Sequence, residues 1–93
     1  MSVSVSYQER FRQVKACVLV PTYNNQGTLK QVLDSILEYT NEIVLVNDGS
    51  TDSTAEIVKA YTNIHVVSYA KNVGKGWALR QGFRKALELG YDY

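Results

Sequence analysis

The chain has 93 residues, one small domain near the lower end of the range in which a single core holds together without staples. Hydrophobic residues at 45% and charged residues at 20% exclude a disordered chain, and no apolar run is long enough to span a membrane. Ten Lys plus Arg against nine Asp plus Glu leave +1, so the basic field expected of a nucleic-acid partner is absent. Cys17 stands alone and cannot form an internal disulfide, which fits a reducing compartment. No charged segment followed by an apolar one opens the chain, so the expected location is cytoplasmic.

Residues 1–13 form an amino-terminal arm to which no chemistry is assigned. Val3, Val5 and Tyr7 alternate with other residues at period two, which fits a short edge strand as well as an irregular arm. The remainder, 14–93, reads as one domain. Ala16–Val20 (ACVLV) is a short β-rich apolar run stopped by Pro21, and predicts a buried strand. A turn-forming YNNQG follows. Thr28 and Gln31 have capping-box spacing, and Leu29, Val32, Leu33, Ile36 and Leu37 recur at helical spacing, predicting a helix over about 29–39.

The unit then repeats. Glu42–Val46 (EIVLV) predicts a second buried strand, ended by Asn47-Asp48-Gly49-Ser50. Asp52 or Ser53 can cap a second helix whose inner face carries Thr54, Ile57, Val58 and Tyr61. A third strand is expected over Ile64–Tyr69, and a third helix from about Gly76 with Leu79, Phe83, Ala86 and Leu87 inward and Gly90 as its stop. The predicted fold is α/β: a three-layer half-Rossmann βαβαβα unit with a parallel sheet. Ligands of such sheets bind outside the carboxyl ends of the strands, so PTYNN, NDGSTDST and AKNVGKG should border one site.

Standard nucleotide fingerprints are missing from those loops. The first has only Gly27 where G-x-G-x-x-G is required, Leu79 stands where the last glycine of a fingerprint starting at Gly74 should be, and Tyr69 replaces the first glycine of a phosphate loop before Gly74-Lys75. Other groups suit a nucleotide. Asp48, directly after a buried strand, can accept from a base N–H or a ribose hydroxyl, or it can simply organise the turn. Tyr23 can stack on a base or pack against its loop. Lys75, between two glycines at a helix start, suits a phosphate. Residues 71–93 carry five basic and two acidic side chains, whereas residues 1–70 carry five and seven, so positive charge gathers near that loop. Arg80 is expected to be solvated, while Cys17 and Trp77 are expected to pack.

VPTYNN, VNDGSTDST and NVGKGWALRQG together resemble the amino-terminal nucleotide-binding half of family 2 glycosyltransferases, which have the GT-A fold. The resemblance runs from about Ala16 to Tyr93. It implies that Pro21 and Tyr23 frame the base, that Asn47 and Asp48 occupy the two acidic positions of a D-D-G-S motif, and that Lys75 approaches the diphosphate. Asn47 departs from the usual Asp and cannot act as a carboxylate. The N-x-G-K-G-x-A-L form is similar to polyprenyl-phosphate sugar synthases, which implies a lipid phosphate as candidate acceptor and membrane association through other regions.

The same family holds Mg or Mn through an Asp-x-Asp motif after the next strand. No such motif occurs in this chain, so the resemblance implies a truncated GT-A domain whose metal ligands lie beyond Tyr93, with no catalytic residue and no metal ligand within it. It also implies that a nucleoside diphosphate sugar is the donor, that the 93 residues alone are inactive, and that the exposed sheet edge can self-associate. The competing readings are a nucleotidyltransferase, which would normally have a glycine- and basic-rich first loop, and a non-catalytic α/β module such as a receiver-type domain, which would place acidic residues there.

Overall fold

The computed structural model describes residues 3–93. In chain order it contains α1 (Val3–Gln13), β1 (Val18–Thr22), α2 (Leu29–Leu37), β2 (Ile43–Asp48), α3 (Thr54–Lys59), β3 (His65–Tyr69) and α4 (Lys75–Glu88). The strands form one parallel sheet in the order β1-β2-β3, with Val18 beside Ile43 and Val44 beside His65 at the start of each register. From β1 onward this is the predicted half-Rossmann unit. Among the described residues no helix is long and apolar enough to cross a membrane.

Every residue of β2 is buried, because β2 is central and both faces of the sheet are covered. On one face Ile43 and Leu45 pack with Leu29 and Leu33 of α2 and Val58 of α3, with Val20, Ile36, Ile57 and Tyr61 at the margin. The opposite face carries α4. Its inner stripe is Ala78, Gly82 and Ala86 rather than the expected Leu79, Phe83, Ala86 and Leu87; Phe83 is 61% and Leu87 73% exposed. The reason is close approach: a Cβ at Gly82 would stand 2.2 Å from Leu19 Cδ1, so large side chains cannot face the sheet there.

The strand boundaries shift toward the ligand end. β1 extends through Pro21 to Thr22, past the predicted stop. Val18 donates its N–H to Glu42 in the β2 direction, whereas Cys17 donates on the other side, to the carbonyl of Tyr93. By alternation Pro21 has the parity of Cys17, so its missing N–H falls on the side away from β2 and no ladder bond to β2 is lost. Tyr93 also donates to Lys15, which makes one parallel bridge around Ala16 on that outer side.

The edge-strand reading of Val3, Val5 and Tyr7 is corrected: this segment is helical. Tyr7 meets Tyr39 edge to face with ring centroids 5.4 Å apart, and the Gln8 amide exchanges two 2.9 Å hydrogen bonds with Asn41. Tyr7 and Phe11, one helical turn apart, border the same apolar recess as Ile36 and Tyr39, so a period of 3.6 prevails over the period of two. The Thr28–Gln31 capping box also does not form. Thr28 makes no side-chain cap and donates instead to Asn25. Of the two expected caps of α3, Ser53 takes the N-cap position without a side-chain bond, and the Asp52 carboxylate before it accepts from the N–H of Thr54 at 2.9 Å. Gly90, with φ +90°, ends α4: Gly90 donates to Leu87 and Tyr91 to Ala86, the paired bonds of a Schellman stop.

Candidate functional site

The three loops at the carboxyl ends of the strands are tied to one another. Asn24 sits at φ +48°, a conformation that Asn tolerates better than most residues. There its backbone N–H donates to Ser50 Oγ at 3.0 Å, and its side-chain oxygen accepts from the N–H of Thr51 at 2.8 Å. Gln26 returns the tie by accepting from the N–H of Ser53 at 2.8 Å. The β1–α2 and β2–α3 loops are thereby locked together.

Asp48 joins the second loop to the third. Its Oδ1 accepts from the N–H of Val73 at 3.0 Å, and its Oδ2 accepts from the N–H of Gly74 at 3.0 Å and from Asn72 Nδ2 at 2.8 Å. Asn72 also donates to the Asp48 carbonyl at 3.1 Å. The residue is only 3% exposed. Burial alone would raise its carboxyl, but the nearby Tyr69 hydroxyl and the loop's hydrogen bonds outweigh that and hold it below the usual carboxylate value. Tyr69 feels the same proximity from the other side: burial first, and then the Asp48 charge, push its hydroxyl up to about 12.

Beneath the third loop lies Gly49, at φ +68°. A Cβ there would stand 2.2 Å from the backbone nitrogen of Asn72 and 2.4 Å from the carbonyl carbon of Lys71, so this glycine lets the loop sit directly on the end of β2.

A cleft of about 490 Å³ opens between these elements, bordered by Pro21, Thr22, Tyr23, Asp48, Asn72, Gly74, Lys75 and Ala78. Its size falls in the range of small-molecule sites. Four of the five residues singled out in the sequence, Pro21, Tyr23, Asp48 and Lys75, are brought together there. Tyr23 is 47% exposed, and Lys75 enters no ion pair among the described residues.

Asn47 does not join them. It shares the strand parity of Leu45, on the α2–α3 face, and its side-chain oxygen accepts from the N–H of Ser50 at 3.2 Å to shape the turn. Thr22, which borders the cleft, pairs in register with Asn47, and its hydroxyl is buried without a partner. Sequence reasoning missed Asn24 and Asn72. The signal for Asn24 was its place in a turn-forming cluster; for Asn72 it was an amide two residues before a glycine at a helix start.

The described residues do not form a metal site. Among the described residues no group of three or more His, Cys, Asp or Glu side chains converges, and the Asp48 carboxylate is engaged by the loop.

An open parallel sheet with a cleft at the carboxyl ends of its strands has the layout in which α/β domains commonly hold ligands. The sequence pattern of the family described as glycosyl transferase family 2 matches residues 17–88, and the chain belongs to that family. It is 38% identical over 85 residues to a dolichyl-phosphate beta-glucosyltransferase of Trichomonas vaginalis, covering 75% of this chain and 26% of the relative. It is 35% identical over 82 residues to the dolichyl-phosphate beta-glucosyltransferase of Dictyostelium discoideum, covering 70% and 25%. It is 36% identical over 81 residues to the poly-beta-1,6-N-acetyl-D-glucosamine synthase of Staphylococcus aureus, covering 81% and 19%. The chain thus spans about a quarter or less of the length of these relatives. No solved structure gives a significant match.

Proposed function

We propose that this chain supplies the donor-binding half of a glycosyltransferase that moves a sugar from a nucleoside diphosphate to an acceptor. The observation that carries the reading is the cleft itself, where Pro21, Tyr23, Asp48 and Lys75 converge from three loops at the carboxyl end of the sheet. In this reading Pro21 and Tyr23 bound the base, and Tyr23 stacks on it. Asp48 accepts a hydrogen bond from base or ribose on Oδ1, the oxygen with a single loop donor. Lys75 and the first-turn amides of α4 face the diphosphate, placing positive charge where negative charge grows as the leaving group departs. Asn47 supports the turn behind Asp48 and touches no ligand.

Membership of the family supports sugar transfer as the reaction class. The similarity to two dolichyl-phosphate beta-glucosyltransferases supports a polyprenyl phosphate as acceptor, which would bring the protein to a membrane surface on the cytoplasmic side. We assign Mg or Mn binding, the catalytic base and the acceptor site to residues outside these 93. Calorimetric titration with UDP and GDP tests the reading: measurable binding to one of them, competed by its sugar conjugate, is expected, and absence of binding to both would refute it.

A further inference from the structure

We propose that Asn72 is the positioning residue for the diphosphate end of the cleft, holding Lys75 and the start of α4 in place through its hydrogen bonds to Asp48. The inference rests on the nucleotide reading above and adds to it a residue that itself touches no ligand.

The loop between β3 and α4 is held unevenly. At Asn72 it is seated: the backbone lies directly on Gly49, and the side-chain amide donates to both the carboxylate and the carbonyl of Asp48. Beyond it the chain is loosely packed. Gly74, at φ +114°, and Gly76 have nothing within 4 Å of where a Cβ would stand, and Val73, Lys75, Gly76 and Trp77 are exposed. Lys75 lies between those two glycines. With little side-chain packing to fix it, the place of the Lys75 backbone depends on the anchor immediately before it.

That anchor also divides the hydrogen-bond donors. Asp48 takes the N–H groups of Val73 and Gly74, so an anion at this end has the amides of Lys75, Gly76 and Trp77 and the Lys75 ammonium to bind. By donating to Oδ2, Asn72 completes the pair of donors on that oxygen, together with Gly74, and leaves the remaining acceptor capacity on Oδ1. Without the Asn72 amide the carboxylate keeps the Val73 N–H on Oδ1 and the Gly74 N–H on Oδ2, so it stays aimed at base and ribose, while the loop before Lys75 loses its side-chain tie. The base contact from Tyr23, on a loop tied independently to Ser50 and Thr51, is unaffected.

The test compares uridine with UDP, and guanosine with GDP, by chemical-shift titration of the parent chain, Asn72→Ala and Asn72→Asp. Asp keeps the size of Asn but sets a carboxylate against the Asp48 carboxylate, so it separates the donor from the packing. Both variants should weaken the nucleoside diphosphate by about tenfold or more while changing the nucleoside less than about twofold, with the Asp variant affected at least as strongly. Trp77, the one tryptophan of the chain, stands on the first turn of α4, and its emission should shift in both variants before any ligand is added. If the parent chain binds neither diphosphate, the nucleotide reading falls and this inference with it. If it binds one, and the variants lose nucleoside and diphosphate equally or lose neither, the positioning role is overturned while the nucleotide reading stands.

Discussion

Tyr91 donates its hydroxyl to the Glu42 carboxylate, tying the segment after α4 to the residue that leads into β2. Two other tyrosines lie against acids: Tyr61 donates to Asp34 at 2.6 Å, and the buried Tyr69 hydroxyl sits near Asp48 without a hydrogen-bond partner. Burial and the neighbouring carboxylate push the Tyr61 and Tyr69 hydroxyls up to about 12, and push Tyr91 further in the same direction.

Alkaline pH should therefore lower the stability of this protein. The folded state holds them protonated where the unfolded chain ionises them from about pH 10. Their contribution is fully present below that value and is lost as pH rises toward 12. Urea midpoints measured from pH 8 to 12 should fall above pH 10, and Tyr91→Phe should flatten the fall. A phenolate absorbance titration of the folded chain in which all seven tyrosines ionise near 10 would contradict the pairing.

Asp48→Ala should lower stability as well as nucleotide affinity. Viewed as a ligand contact alone, its removal would cost binding with little effect on the fold; the structure makes it the acceptor for three loop donors too. A loss of about 1–3 kcal/mol in each quantity is expected. The depressed carboxyl adds an acid limb: its contribution is complete above the ordinary value of 3.8 and disappears as pH falls through the lower folded one. Amide exchange at Val73 and Gly74 should quicken in the variant. Unchanged exchange at both would sink the anchoring role.

Gly82→Ala should fail to give the stabilisation of about 1 kcal/mol that the same change gives inside an exposed helix, because its Cβ meets Leu19. Combining it with Leu19→Val should recover part of that gain. Thermal melts of the two single variants and the double variant read the coupling directly; strict additivity would mean that the contact relaxes at no cost.

The 93-residue chain should self-associate. On the outer side, Lys15 and Cys17, just before β1, are engaged by Asp92 and Tyr93, and the recess beside them is lined by Leu19, Phe83, Ala86, Leu87 and Tyr91. Light scattering should show species larger than a monomer, and Phe83→Lys with Leu87→Lys should reduce them. A clean monomer at high concentration in the parent chain would count against the edge.

Adding Mg or Mn should change UDP or GDP affinity little beyond the ion's own pairing with the diphosphate, since no cluster of metal ligands converges among the described residues. Turnover of a nucleotide sugar by these 93 residues would contradict the proposed division of labour.

The alternation of strand and helix from Val18 onward was legible because each strand is a short apolar run closed by turn residues and followed by a helical pattern, which together suit a doubly covered parallel sheet. Tyr23, Asp48 and Lys75 could be named from loop position, and Pro21 from the resemblance of its segment to the family. What escaped depended on tertiary approach. Phe83 and Leu87 have the spacing of an inner face, yet Leu19 leaves room only for Gly82, and hydrophobicity counts carry no record of that distance. Asn47 and Asp48 look equivalent as neighbours on a line; strand parity sends one to the α2–α3 core and the other to the cleft. Tyr7 follows one period with its neighbours in sequence and another with Phe11, and contact with Tyr39 favours the second.

Pro21 sets an upper limit on what can be zipped onto the sheet. Along the outer side of β1 beyond Cys17, Leu19 offers both a donor and an acceptor, but Pro21 offers only its carbonyl, so a strand laid there loses its ladder one step below Tyr23. Pairing can therefore lengthen the sheet sideways near its amino end while the rim by the cleft stays unladdered. Pro21 thus stops pairing on the outer side only, beside the cleft that it borders, and keeps sideways assembly and the cleft on separate stretches of the same strand.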